Sequence, residues 1–109
     1  MPYSESLASR TRSLLATRRG VSEKKMFGGV AFLLNGNMLV CVWQNSLIVR
    51  LGPAEYEGAL QEPYVVEFDV TGKPMKGWVM VEPDGLDSDE QLSQWIERAM
   101  EFVRTLAKK

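Results

Sequence analysis

The dipeptide Asn35-Gly36 stands between two β-rich apolar runs, VAFLL at residues 30 to 34 and NMLVCVW at 37 to 43. Asn-Gly suits a two-residue turn in which both central positions take positive φ, and it is the strongest short-range hairpin signal a sequence offers. An all-helical chain is thereby excluded. A third run, SLIVRLG at 46 to 52, follows Gln44-Asn45 and alternates Leu47, Val49 and Leu51 against Ile48 and Arg50, which extends the hairpin to an antiparallel meander. The stretch Glu23 to Phe27 allows a short leading strand, with Gly28-Gly29 as a bulge or bend before Val30.

Around this meander the periodicity becomes helical. Leu7, Thr11, Leu14, Leu15 and Arg18 share one helical face, Ser4 or Ser6 can cap its start, and Gly20 follows the basic pair Arg18-Arg19, so a helix is expected at about 4 to 18. Pro53 fits a first helical position, and Tyr56 and Leu60 lie four apart, which predicts a short helix over 53 to 61. After Pro63, YVVEFDV (64 to 70) and GWVMVE (77 to 82) read as two strands joined by TGKPMK. Ser88 with Gln91 forms a capping box, and Leu92, Trp95, Ile96, Ala99, Met100, Val103 and Leu106 repeat at helical spacing. The expectation is one α+β domain over residues 1 to 109, ordered α-β(3)-α-β(2)-α, with an antiparallel sheet packed by helices.

Composition narrows the chemistry. The chain has no histidine and one cysteine, so Ser-His and Cys-His nucleophile pairs, imidazole metal sites, thiolate zinc clusters and intramolecular disulfides are excluded. Cys41 lies in the apolar run Leu39 to Val42 and reads as a buried, inert thiol. No cofactor and no metal is expected. The carboxylates Asp84 and Asp87 could hold a hard cation, but they lack the alternating ligand positions of a calcium loop, and acids before a helix are expected from its dipole. With no export signal and no apolar run long enough to cross a bilayer, the expected setting is the cytoplasm, away from membranes.

The formal charge of -1 hides a polarised chain, +4 over residues 1 to 25 and -8 over 51 to 90. Arg10, Arg12, Arg18, Arg19, Lys24 and Lys25 are candidate contacts to a phosphate backbone, or a solvated face suited to a helix C-terminus. Two glycine-containing strings stand out, Lys25-Met26-Phe27-Gly28-Gly29 and Pro74-Met75-Lys76-Gly77-Trp78. Neither is a phosphate-binding loop, since neither has the P-loop spacing nor opens a helix after a strand. Gly28-Gly29 suits a bend, Gly77 would relieve crowding beside Trp78, and the Met, Phe and Trp side chains either fill a core or form a contact surface.

Those strings carry a resemblance. EKKMFGGVAFLLNGNMLVCVW, then LIVRLGP, then TGKPMKGWVMVEPDGL and the final amphipathic helix are similar to the TfoX N-terminal domain family from about Glu23 to Val103. The resemblance implies a helix-packed antiparallel sheet of the YgaC and TfoX N-terminal type, similar in layout to the secretion chaperone-like fold. The family is named after a regulator of natural competence, in which this domain precedes a helical one resembling DNA-binding modules; the 109 residues accommodate only the first. It supplies no catalytic residues, so the two strings transfer as signature positions and candidate contact surface. A more distant likeness to YjbR domains suggests DNA binding at the level of fold alone. The function expected is therefore a non-enzymatic regulatory or interaction domain whose partner is another protein or a second copy; the alternative is a nucleic-acid-binding module using the basic N-terminal helix and the loop after it.

Overall fold

A computed structural model describes residues 3–26, 28–68 and 75–108 of the chain. In chain order the elements are α1 (Glu5–Leu15), β1 (Val21–Met26), β2 (Gly29–Leu34), β3 (Asn37–Trp43), β4 (Ser46–Arg50), α2 (Pro53–Ala59), β5 (Val65–Glu67), β6 (Trp78–Val81), a 3-10 turn (Pro83–Leu86) and α3 (Asp89–Val103). The strands form one antiparallel sheet in the order β1-β2-β3-β4-β6-β5. This is the α+β architecture expected, with differences that have local causes.

The Asn35-Gly36 turn behaves as its composition dictates, with φ of 54° and 84°, and it sets Leu34 opposite Asn37. The leading strand is a full sheet member of six residues, which makes six strands rather than five main ones. Of the two alternatives, Gly28-Gly29 is a bend and not a bulge. Met26 pairs directly with Gly29, so β1 and β2 meet at a tight turn where Gly28 takes φ 76°, and the register shift falls instead between Phe32 and Leu33. That shift turns both Leu39 and Val40 toward the helix side.

Helix α1 stops at Leu15 rather than near residue 18, because the chain must turn to enter β1 at Val21; Gly20 supplies φ 81° in that turn. The strand expected over 46 to 52 ends at Arg50, since the amides of Leu51 and Gly52 both donate to the Gly77 carbonyl. The strand expected over 64 to 70 is the three-residue β5; Asp69 and Val70 lie outside the described residues. The chain leaves β4 through α2 and returns so that the better buried β6 takes the slot beside β4. The short β5 is left at the edge, which limits its open hydrogen-bonding groups.

All three helices pack on one face of the sheet. Val30, Phe32, Leu34, Val42, Leu47, Val49, Val79 and Val81 meet Leu7 and Leu15 of α1, Tyr56 and Ala59 of α2, and Leu92, Ile96, Ala99 and Val103 of α3. Thr11, fully buried on α1, donates its hydroxyl to the Leu7 carbonyl. Helix α3 opens on the capping box: the Gln91 amide donates to Ser88 Oγ at 3.1 Å, and the Ser88 amide donates to Gln91 Oε1 at 3.0 Å. Ser88→Ala is expected to lower stability by about 1 kcal/mol. A urea unfolding midpoint unchanged from wild type would contradict that.

Candidate interaction surface

Among the described residues no helix lies on the opposite face of the sheet. Lys24, Ala31, Cys41, Ile48, Met80 and Val66 form one register row across the six strands, and side chains in such a row point to the same side. Ala31, Cys41 and Ile48 are fully buried in the middle of the row, beneath Phe68. Around them the half-buried side chains are Met26, Leu33, Met38, Trp43, Met75, Trp78 and Met80. The Phe68 and Trp78 rings lie 6.4 Å apart, and the Arg50 guanidinium sits 4.9 Å from the Trp78 ring and 5.9 Å from that of Phe102 of α3. Burial lowers the Arg50 pKa from its ordinary value.

Both signature strings reach this face, from opposite ends. Met26 lies opposite Gly29 at one end of the sheet, and Trp78 lies opposite Arg50 at the other. Three strands separate β1 from β6, roughly 19 Å across the sheet before any offset along the strands, so the two corners do not form one site. Lys25, Met26, Gly28 and Gly29 line a shallow cleft of about 290 Å³ with Tyr3. Gly77 takes φ 96°, and a Cβ there would meet the backbone of Gly52 at 3.3 Å. Apart from its chain neighbours, the crowding at Gly77 comes from Gly52 and Pro53. Phe27 and Pro74 lie outside the described residues. Met26, Met75 and Trp78 are half-buried, between the two alternatives of core and contact surface, while Lys76 is exposed.

The six candidate phosphate contacts separate into two groups. Arg10 donates to Asp89 Oδ1 at 2.9 Å and to the Leu86 carbonyl at 2.8 Å, Arg12 makes a two-pronged pair with Glu23, and Arg18 pairs with Glu97. The basic first helix and the turn after it thus meet acids of α3 and β1 within one chain, though only the Arg10–Asp89 pair joins the basic segment 1 to 25 to the acidic segment 51 to 90. Hydrogen bonding to Arg12 holds the Glu23 carboxyl below the usual carboxylate range. Among the described residues Arg19, Lys24 and Lys25 have no carboxylate partner. The register turns Lys25 to the helix side of β1 and Lys24 to the bare side.

Cys41 is buried, and desolvation pushes its thiol up to about 11. Asp84 lies in the 3-10 turn and Asp87 just after it; among the described residues no group of three or more Cys, Asp or Glu could hold a metal ion. Two features escaped the sequence reading. Arg98 pairs with Glu62 at 2.8 and 3.0 Å while its guanidinium lies 4.4 Å from the Trp95 ring, a stack whose i, i+3 spacing was legible. Tyr64, 48% exposed, takes φ 65°, for which only the preceding Pro63 and the tight entry into β5 offered a sign.

An open antiparallel sheet, helix-packed on one side and, among the described residues, half-exposed with Met, Leu and Trp on the other, defines a small α+β domain with one apolar face that no described helix covers. The chain belongs to the TfoX N-terminal domain family, whose model matches residues 13–103. No curated protein and no solved structure matched the chain. Among the described residues no helix is long and apolar enough to cross a membrane.

Proposed function

We propose that this is a non-enzymatic regulatory domain of the cytoplasm that works through protein contacts, in the manner suggested by its kinship with the competence regulator's N-terminal domain. The supporting observation is the bare sheet face, where Met26, Leu33, Met38, Trp43 and Met80 are only half-buried. Methionine adapts its shape to a partner, and an apolar face left partly open on one domain marks a contact surface. The occupant is a second copy of the chain. Six strands span roughly 24 Å, so pairing two such faces removes only several hundred Å² from each copy, which belongs to weak and transient association. Static light scattering over a dilution series is expected to show mass rising with concentration, and Met38→Glu is expected to abolish the rise. A strict monomer at millimolar concentration would overturn this reading.

A nucleic-acid-binding role has its support in Arg19, Lys24 and Lys25, the cations left without carboxylates among the described residues. Three phosphate contacts predict a slope of about -3 in log affinity against log salt. Fluorescence anisotropy with duplex and single-stranded DNA at low salt tests it, and no binding there rejects it.

A further inference from the structure

We propose that the β1 edge takes an extended acidic segment of a partner protein as a seventh strand. This surface is the edge of the sheet and shares Lys24 with the bare face. Among the described residues strand β1 has one neighbour, β2, so the backbone groups of every second residue point outward with no described strand beyond them. Its four central residues, Ser22 to Lys25, are exposed. Beside it, between the last turn of α1 and the strand, runs a groove of about 360 Å³ floored by Leu15, Ala16, Val21 and Phe32. An extended chain laid on this edge would find main-chain hydrogen bonds along the strand and an apolar slot for one side chain, the requirements of strand addition.

Charge chooses the occupant. Glu23 is engaged by Arg12 and the groove's other cation, Arg18, by Glu97, which leaves Lys24 and Lys25 as the unpaired charges of the strand among the described residues. These lysines point to opposite faces, so an antiparallel partner matches them with two consecutive carboxylates, one on each side. Three positions beyond the second carboxylate, opposite Val21, an apolar β-branched residue meets the groove. A second copy fits poorly here. Two-fold antiparallel pairing sets residues of the same parity opposite each other: centred on Lys24 it puts Lys24 against its own copy and offers Lys25 only Glu23, which Arg12 already engages, and centred on Glu23 it puts Glu23 against its own copy and leaves both lysines unmatched. Edge lysines thus repel self-pairing while attracting an acidic strand.

The test uses the full chain, ¹⁵N-labelled, titrated with the blocked heptapeptide Thr-Glu-Glu-Thr-Thr-Val-Thr. Amide shifts concentrated on Val21 to Lys25 are expected. Replacing both peptide glutamates by lysine, or using the Lys24→Glu/Lys25→Glu double variant with its thermal unfolding checked, should weaken binding tenfold or more. The proposal is overturned by an absence of shifts at millimolar peptide, or by equal binding of a polyglutamate of the same charge, which would leave charge attraction alone. It is also overturned if, in the Met38→Glu variant that removes bare-face pairing, β1 signals still broaden with protein concentration in the absence of peptide, which would mark a second copy on the edge. Shifts confined to Met38, Trp43 and Met80 would overturn it too, while leaving the bare-face reading intact.

Discussion

Gly29→Ala is expected to lower stability by about 3 kcal/mol or more, at the upper end of what overpacking costs. A Cβ at this position would lie 2.1 Å from the Val42 carbonyl oxygen and 3.2 Å from its carbon, and backbone atoms cannot swing aside as the tip of a flexible side chain can. Relief would require β2 and β3 to part at the row where Val30 faces Val42. The control is Gly58→Ala. Gly58 lies within α2 with nothing inside 4 Å of the added carbon, so helix propensity predicts a gain of roughly 0.5 to 1 kcal/mol. Urea unfolding of the two variants beside wild type decides the matter. A Gly29→Ala midpoint within error of wild type would show that the two strands do not approach as described.

Cys41 supplies the second large effect. With its thiol raised from 9.0 to about 11, the folded protein holds about a hundredfold less thiolate at pH 8 than the unfolded chain, and access for a reagent is blocked as well. Labelling by a disulfide reagent at pH 8 is therefore expected only through opening of the sheet, at least a hundredfold slower than in urea. Linkage fixes the sign of the accompanying pH dependence. Below pH 9 both states keep the proton and the thiol adds no slope. Between pH 9 and 11 the unfolded chain releases it first, so stability falls as pH rises, by roughly 3 kcal/mol in total. Cys41→Ala should lack that fall, which separates it from other groups titrating in the same range. Rapid labelling of the native protein, or the same alkaline decline in both chains, would refute the assignment.

Much of the fold was legible because its signals are local. Asn35-Gly36 specifies a turn through the φ values that two adjacent residues can take, and Ser88 with Gln91 specifies a helix start through two hydrogen bonds within one turn. The candidate surface was legible only in outline. The strings around Gly28-Gly29 and Gly77 marked places where backbones pass closely, yet which backbone each meets depends on strands far apart in sequence: Val42 for Gly29, and Gly52 for Gly77. The Arg10 to Asp89 and Arg18 to Glu97 pairs join residues 79 apart, so no local pattern could show that these two of the six cations would be neutralised at home.

By itself the sequence determined an antiparallel meander with a capped amphipathic helix behind it, a thiol fated to be inert, and an absence of imidazole chemistry; periodicity, turn residues and composition act over a few positions or over the whole chain. Only the tertiary structure decided that all three helices lie on one side, that β6 displaces β5 from the place beside β4, and that β1 ends the sheet with its lysines on opposite faces. Those are choices among long-range pairings, set by which apolar faces bury one another best, and they alone determine which side chains remain for a partner to meet.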